Sequence, residues 1–226
     1  MTLPTAPTLM PNAGIVIVED YPVVRDGLVQ LISGSPDLRV LAAVGDENSA
    51  LASIRQHRPD LVLLDLMLGG RDGLALIEQI TRELPTMKIL VLSMMNEAVY
   101  AERALRAGAL GYVMKSAETI EVLQAIRSVL EGRVYLSPRI FVKLFRGILL
   151  RSTSSREAGA EGLSDRELHV FQLIGSGVPN RDIAAQLGIS VKTVEAHREN
   201  IKNKLALQDS AELTNSAQMF VNSLTP

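Results

Sequence analysis

The sequence predicts a doubly wound α/β domain with a five-stranded parallel sheet, followed by a small all-α domain. Between residues 13 and 132, short apolar runs alternate with amphipathic stretches, which is the pattern of repeated βαβ units. One run, Leu61–Leu64, is apolar throughout and leads into Asp65, as expected of a strand buried on both faces. After residue 162 the pattern becomes helical only. The chain is therefore expected to fold as an open, doubly wound sheet domain followed by a small helical domain.

Five strands and five helices are expected in the first domain. The strands are Ile15–Val18, Val40–Val44, Leu61–Leu64, Ile89–Leu92 and Tyr112–Met114. The helices are Pro22–Ile32, Asn48–Gln56, Gly73–Glu83, Glu97–Ala107 and Ala117–Glu131. Pro22 suits a first helical turn, and Gly34 and Gly108 suit the position that ends a helix.

A connector and a linker are expected between the domains. Residues 138–150 place apolar side chains at helical spacing, and residues 151–162 are rich in Ser, Gly and charge without a large apolar side chain. Such a composition is typical of a flexible linker. We therefore predict a first domain over residues 13–132, a connector and linker over 133–162, and a second domain over 163–226.

Capping signals predict the helices of the second domain. The signals are Ser164 with Glu167 as a capping box, Asn180 before Arg181–Leu187, Ser190 before Val191–Lys204, and Asp209 before a helix to about Val221. The two middle helices are joined by Gly188-Ile189-Ser190. Their lengths and short connection have the proportions of a helix-turn-helix.

The composition excludes some classes of protein. The chain has no cysteine, so disulfides and thiolate metal sites are excluded. No apolar run approaches the ~20 residues that span a bilayer, and the start of the chain lacks the pattern of a signal peptide, so we expect a cytoplasmic protein. Net charge is −5 for residues 13–132, +4 for 133–162 and −1 for 163–226. The basic connector is expected to be attracted to a polyanion or to the acidic first domain.

Polar side chains follow four of the predicted strands. They are Glu19, Asp20, Asp65, Ser93 and Lys115. The carboxyl ends of parallel strands meet at one edge of a sheet, so these groups are expected to lie together. Close carboxylates repel one another, and Mg²⁺ with its oxygen ligands relieves that repulsion. The pattern predicts a partial Mg²⁺ site open to a phosphoryl group on Asp65, whose oxygens Lys115 and Ser93 would bind.

These motifs carry a resemblance to a known family. Residues 13–132 resemble a response-regulator receiver domain in VIVED, in LVLLDLML with GGRDGL, in LVLSM and in RAGALGYVMK. Residues 163–226 resemble a LuxR-type DNA-binding domain in LSDRELHVFQLI and in NRDIAAQLGISVKTVEAHRENIKNKL. Together they are similar to the NarL/FixJ family of two-component transcription regulators.

The resemblance implies a chemistry for the strand-end residues. A sensor histidine kinase is expected to donate a phosphoryl group to Asp65. Mg²⁺ is expected to be bound by Asp20 and Asp65, with Glu19 assisting and the Met67 carbonyl as a further ligand. Phosphorylation is expected to promote a homodimer that binds double-stranded DNA and controls transcription, with RNA polymerase as a further partner.

The resemblance also implies a switch formed by Ser93, Tyr112 and Lys115. Ser93 is expected to move toward phosphorylated Asp65, and the Tyr112 ring to turn into the vacated space. The altered surface would then favour the dimer.

DNA contacts are expected on the helix Val191–Lys204. By resemblance, the residues expected at base edges are Glu195, Ala196 and Glu199, and those nearer to phosphates or to the helix packing are Lys192, Thr193, His197, Arg198 and Lys202. An acidic side chain can accept a hydrogen bond from the amino group of cytosine, and an alanine can contact a thymine methyl. A second stripe, Val194, Ile201 and Leu205, is expected to face the domain core.

Two other functions stay open at this stage. Some phosphohydrolases use a nucleophilic aspartate at a strand end, but those of the haloacid-dehalogenase type need a second aspartate where this chain has Met67. A transcription regulator gated by a partner or a ligand, without phosphorylation, would show the same domain order. The leading prediction is a phosphorylation-controlled DNA-binding regulator that is not an enzyme.

Overall fold

A computed structural model of the protein describes residues 12–69, 71–149 and 162–224. The chain forms two compact units, one with residues up to 68 and 73–140, and one with residues 69–72 and those from 141 onward. The predicted linker, apart from Gly162, lies outside the described residues. The domain boundary that the sequence places in residues 133–162 therefore stays a prediction.

The first unit contains a five-stranded parallel sheet in the order β2-β1-β3-β6-β7. Its strands are β1 (Ala13–Val18), β2 (Leu38–Val44), β3 (Leu61–Leu64), β6 (Ile89–Ser93) and β7 (Gly111–Met114). Two further strands of two residues each, β4 (Met67–Leu68) and β5 (Arg71–Asp72), follow β3 along the chain. The helices are α1 (Pro22–Ser33), α2 (Glu47–His57), α3 (Gly73–Glu83), α4 (Glu97–Ala107) and α5 (Thr119–Leu130). The predicted five-stranded α/β architecture is confirmed.

The central strand is buried on both faces, as its apolar run predicts. Alternate residues of the sheet, among them Ile15, Ile17, Leu61 and Leu63, pack with α1 and α5 in one core cluster. The intervening residues are equally buried and point to the opposite face, since side chains alternate along a strand. The sheet therefore forms the middle of three layers, and its carboxyl edge is left for polar groups.

Two local predictions differ from the structure. The helix expected from Ala117 begins at Thr119, because the Ala117 amide donates to the Met114 carbonyl (2.9 Å) in a turn after β7. Gly34 does follow α1, but its φ of −73° is right-handed and needs no glycine. Gly108, in contrast, ends α4 with a φ of 117°, which other residues rarely adopt.

Apart from β5, the described elements of the second unit are helical. After the connector helix α6 (Pro138–Leu149), which spans the division between the units, come α7 (Asp165–Gly175), α8 (Asn180–Leu187), α9 (Val191–Leu205) and α10 (Ser210–Leu224). Phe171 and Phe220 join α7 to α10 with ring centroids 5.6 Å apart. Within the described ranges, no helix combines the length and apolar character that crossing a membrane requires.

Three of the four predicted caps in this unit are present. Ser164 and Glu167 form the capping box, Ser190 Oγ accepts from the Thr193 amide (3.0 Å), and Asp209 Oδ1 accepts from the Ala211 and Glu212 amides (both 2.8 Å). The cap expected of Asn180 is wrong. Asn180 is the first helical residue, because the Pro179 carbonyl accepts from the amides of Asp182 and Ile183 (both 2.9 Å).

Candidate functional site

Backbone pairing aligns the strand ends that carry the predicted site. The Asp65 amide donates to the Val18 carbonyl (2.9 Å), and the Lys115 amide donates to the Ser93 carbonyl (2.8 Å). These bonds continue the sheet ladder one residue beyond β3 and β7. As predicted, the residues after β1, β3 and β7 lie at one edge of the sheet, together with Ser93, the last residue of β6.

Lys115 lies between two buried carboxylates. Its ammonium Nζ is 2.6 Å from Glu19 Oε2 and 2.7 Å from Asp65 Oδ2. The Glu19 and Asp65 side chains are only 1% and 4% exposed. A buried carboxylate needs a counter-ion or hydrogen bonds, and Lys115 supplies both to this pair.

The environment shifts the proton affinity of this cluster. Burial raises the pKa of Glu19, the hydrogen bond from Lys115 lowers it in part, and the nearby Asp65 charge raises it again, so the net shift is upward. Burial alone would lower the pKa of Lys115, but Asp65 and Glu19 together raise it. Lys115 is therefore charged at neutral pH, and its one ammonium is shared between the Glu19 and Asp65 carboxylates.

The acidic cluster has the donor set of a magnesium site. One carboxylate oxygen each of Glu19, Asp20 and Asp65 lies within 4.8 Å of the others. Asp65 Oδ1 is buried and has no hydrogen-bond partner among the residues that the structure describes. A hard divalent cation with oxygen ligands fits this arrangement. Met67, whose carbonyl the resemblance adds to the ligands, follows two residues after Asp65 and opens β4.

Ser93 and Tyr112 lie behind the site rather than on its surface. Ser93 is fully buried, and its Oγ lies 3.4 Å from the Met95 amide, which donates to it. The Tyr112 ring is 1% exposed, and its hydroxyl donates to the Met95 carbonyl (2.7 Å). Burial raises the pKa of Tyr112. This hydrogen bond holds the ring inside in this structure, and the movement of the ring on phosphorylation stays a prediction.

Sequence reasoning missed a contact between this region and the connector. Glu97, at the start of α4, accepts a hydrogen bond from the Ser137 amide (2.8 Å), one residue before α6. The segment before Ser137 also pairs with β7, since the Tyr112 amide donates to the Tyr135 carbonyl (2.9 Å). The partners are far apart in sequence, and no local pattern marks them.

The predicted DNA-reading helix α9 separates into an exposed and a buried side. Val194 and Ile201 are fully buried, as expected, and Leu205 is half-buried. The predicted DNA-contacting residues on the exposed side are Lys192, Thr193, Glu195, Ala196 and Glu199, and those that are half-buried are His197, Arg198 and Lys202. The three residues that are predicted to contact base edges, Glu195, Ala196 and Glu199, are therefore all exposed.

Two of the half-buried cations already have partners on the protein. Arg198 Nη1 donates to Asn180 Oδ1 (3.3 Å), which joins α9 to the start of α8. Lys202 Nζ lies 2.8 Å from Glu199 Oε1. His197 is neutral at pH 7, because burial and the neighbouring Arg166 lower its pKa. The charge of Lys202 is thus offset by a carboxylate, whereas the contact of Arg198 is with a neutral amide and does not cancel its charge.

An ion pair between the exposed Lys204 and the buried Glu167 joins the end of α9 to the start of α7. Lys204 Nζ contacts Glu167 Oε2 (2.6 Å), the carboxylate that also accepts from the Ser164 amide (2.8 Å). Burial alone would raise the pKa of Glu167, but these partners lower it. One carboxylate therefore serves both the capping box of α7 and the orientation of α9.

Comparison with known families agrees with this two-part architecture. Residues 15–127 match the response regulator receiver domain, and residues 161–217 match the bacterial regulatory proteins of the luxR family. The oxygen regulatory protein NreC of Staphylococcus epidermidis is 35% identical over 208 residues, which cover 90% of this chain and 95% of the relative. NreC of Staphylococcus carnosus is 35% identical over 209 residues, with the same coverage.

Solved structures show the same folds. A LuxR-family two-component response regulator from Aurantimonas sp. is 35% identical, with a TM-score of 0.57, and covers 61% of this chain and 99% of its own. RcsB from Salmonella enterica serovar Typhimurium, bound to promoter P1flhDC with the phosphomimetic BeF3⁻, is 24% identical with a TM-score of 0.55; it covers 90% of this chain and 97% of its own. This chain belongs to the LuxR family of response regulators, in which a receiver domain precedes a LuxR-type regulatory domain.

Proposed function

We propose that this DNA-binding response regulator is switched by phosphorylation of Asp65. The observation that carries the proposal is the buried Asp65 Oδ1, which has no hydrogen-bond partner among the described residues, while Lys115 holds Oδ2 at 2.7 Å. One carboxylate oxygen is thus bound by Lys115, and no described residue occupies the other, so the Asp65 carboxylate is not saturated by protein contacts. The domain limits 13–132, 133–162 and 163–226 are proposed with it.

The chemistry is phosphoryl transfer from the phosphohistidine of a sensor kinase. A carboxylate oxygen of Asp65 attacks phosphorus, an O–P bond forms, and the P–N bond to the kinase histidine breaks as that histidine leaves. Lys115 is placed to bind an oxygen of the transferred group. Asp20, Asp65 and the Met67 carbonyl, with Glu19 assisting, would hold Mg²⁺, which would supply charge neutralisation at the phosphoryl oxygens.

The contacts around Met95 support a route from Asp65 to the connector. Ser93 contacts the Met95 amide and Tyr112 holds its carbonyl, so movement of Ser93 toward a phosphoryl group alters this loop. The loop leads directly into α4, where Glu97 binds the Ser137 amide (2.8 Å) before α6. We propose that phosphorylation reaches α6 through this hydrogen bond.

The output is proposed to be binding of a phosphorylation-dependent homodimer to double-stranded DNA. A two-fold dimer places two copies of α9 on half-sites that are about one helical turn apart, or a multiple of it. RcsB has been solved as two dimers bound to two parallel DNAs, which supports the proposal by fold. We also propose RNA polymerase as a partner and, since the target is DNA, a cytoplasmic location.

The experiment that tests this function is DNA binding with and without phosphorylation. Sites are first selected from random DNA with the full-length wild-type protein treated with acetyl phosphate and Mg²⁺. Phosphorylation is then expected to raise affinity for a selected site about tenfold or more, within the usual range of allosteric coupling. Asp65→Asn is expected to bind with the unphosphorylated affinity under both conditions. A wild-type affinity that does not respond to acetyl phosphate, in protein shown to be phosphorylated, would contradict the proposal.

The exposed side of α9 gives a further prediction about DNA reading. Lys192→Ala is expected to weaken binding to all sequences and to reduce the salt dependence by about one phosphate contact.

Glu195→Ala is expected to relax sequence preference and to raise non-specific binding, because the carboxylate repels phosphates and accepts a hydrogen bond from the amino group of cytosine. Thr214→Ala, on α10, is the control. An unchanged consensus and discrimination for Glu195→Ala would remove this residue from the reading surface.

The two other functions are less well supported. A phosphohydrolase with an aspartate nucleophile, of the haloacid-dehalogenase type, needs a second aspartate two residues after the first. This chain has Met67 at that position, and we propose that the chain is not an enzyme. A phosphorylation-independent regulator would leave the convergence of Glu19, Asp20 and Asp65 at one edge of the sheet without a role in its function. If acetyl phosphate never modified the protein, however, that second function would become the better one.

A further inference from the structure

Arg25 reaches back along α1 to the backbone that carries two of the three clustered carboxylates. Its Nη1 donates to the Glu19 carbonyl (2.8 Å) and, more weakly, to the Asp20 carbonyl (3.5 Å). Both acceptors are main-chain oxygens of the turn between β1 and α1. Through these two contacts the guanidinium binds the backbone of the turn.

Gly45 provides the space for this contact. A Cβ on Gly45 would lie 3.1 Å from Arg25 Nη1, 3.7 Å from the Glu19 carbonyl oxygen and 3.8 Å from Asp20 Cα. A side chain here would crowd the guanidinium against the turn. The φ of Gly45 is not in the left-handed region, so the close approach, and not the backbone conformation, accounts for the glycine.

The choice of main-chain acceptors matters for the acidic cluster. Lys115 occupies Glu19 Oε2 and Asp65 Oδ2 directly. Arg25 brings a positive charge to the same turn through main-chain oxygens. Holding two successive carbonyls also fixes the peptide planes that set the direction of the Glu19 and Asp20 side chains. From the other side, the Tyr21 amide donates to Glu19 Oε1 (3.2 Å).

We propose that Arg25 is a positioning residue for the divalent cation: it orients the Glu19-Asp20 turn so that the carboxylates converge with Asp65. The proposal rests on the proposed Mg²⁺ site. Residues that orient metal ligands in other proteins change metal affinity by about 10–100-fold when they are replaced. Arg25 is expected to act in that range.

The test is Mg²⁺ affinity of the full-length protein, measured by isothermal titration calorimetry on Arg25→Met. The dissociation constant is expected to rise about tenfold. Arg55→Met, which removes an exposed arginine paired with Glu83 (2.6 Å), is the control and is expected to leave it unchanged. Gly45→Ala keeps the guanidinium but crowds it, and is also expected to raise the dissociation constant for Mg²⁺.

A second readout separates positioning from a general loss of structure. The rate of phosphorylation by acetyl phosphate is measured against Mg²⁺ concentration. Arg25→Met is expected to need about ten times more Mg²⁺ for half-maximal rate but to reach a wild-type maximum. If wild type binds Mg²⁺, and Arg25→Met and Gly45→Ala both bind it as tightly as wild type, the proposal that Arg25 positions the metal ligands is wrong. If wild type binds no Mg²⁺, the proposed metal site fails, and the role of Arg25 fails with it.

Discussion

Replacing Lys115 with methionine is expected to lower the free energy of unfolding by about 3 kcal/mol at pH 7 in metal-free buffer. The substitution keeps the apolar stem and removes the ammonium that lies 2.6 Å from Glu19 and 2.7 Å from Asp65. Two buried carboxylates would then face each other without their counter-ion. Protonation of Glu19, whose pKa is already raised, limits the cost.

The deficit of Lys115→Met is expected to shrink as the pH falls from 7 toward 5. A carboxyl group whose pKa is higher in the folded than in the unfolded protein destabilises the folded state at any pH above the unfolded-state pKa. The loss of Lys115 raises the folded-state pKa of Glu19 further, and so increases this destabilisation at pH 7. Acidification protonates Glu19 and removes the repulsion. Urea denaturation at several pH values, with EDTA present, measures this.

Lys88→Met is the matched control for that prediction. Lys88 is also half-buried, but its ammonium donates to a backbone carbonyl, that of Leu130 (2.5 Å). Its loss is expected to cost about 1 kcal/mol with little pH dependence. A Lys115→Met deficit that equalled the Lys88→Met deficit, or stayed constant between pH 7 and 5, would contradict the role of Lys115 as counter-ion.

Gly73→Ala is expected to cost about 3 kcal/mol of stability and to slow phosphorylation of Asp65 at least about tenfold. A Cβ on Gly73 would lie 2.6 Å from Leu66 Cα and 2.8 Å from the Asp65 carbonyl oxygen. These are backbone atoms that cannot swing aside. The Gly73 amide also donates to the Leu66 carbonyl (2.9 Å), so the chain that carries Asp65 must shift.

Gly27→Ala controls for the general effect of adding a methyl group. Gly27 lies within α1, and no atom would lie within 4 Å of its Cβ. Its replacement is expected to stabilise the helix by up to about 1 kcal/mol. Denaturation and the rate of modification by acetyl phosphate, compared between the two variants, measure the difference. If Gly73→Ala and Gly27→Ala were equally stable and were modified at equal rates, a side chain at Gly73 would not displace the Asp65 backbone, and the prediction would be wrong.

Much of the fold could be predicted because its signals are local. The apolar run of Leu61–Leu64 marks a strand buried on both faces, and parallel pairing then brings the residues after each strand to one edge. That reasoning is enough to place Lys115 near Asp65. It does not give the second contact, with Glu19 at 2.6 Å, because side-chain direction depends on packing.

What could not be predicted depends on partners that sequence spacing does not mark. Asn180 has the residue type of a cap, yet the carbonyl of Pro179 takes the first helical hydrogen bonds. Tyr112 is held inside by the main chain of Met95. Arg25 binds carbonyl groups, which every residue has, so its position on α1 carries no signal of its contact with the turn.

The most direct measurement of the central claim is the intact mass of the protein after incubation with acetyl phosphate, with and without Mg²⁺. Wild type is expected to gain the mass of one phosphoryl group only with Mg²⁺, and Asp65→Asn is expected to gain none. Asp60→Asn is the control, since Asp60 lies at the opposite end of β3, where its Oδ2 accepts from the Gly14 amide (2.7 Å); it is expected to be modified like wild type. Modification of Asp65→Asn at the wild-type rate would contradict the assignment of Asp65 as the phosphoacceptor.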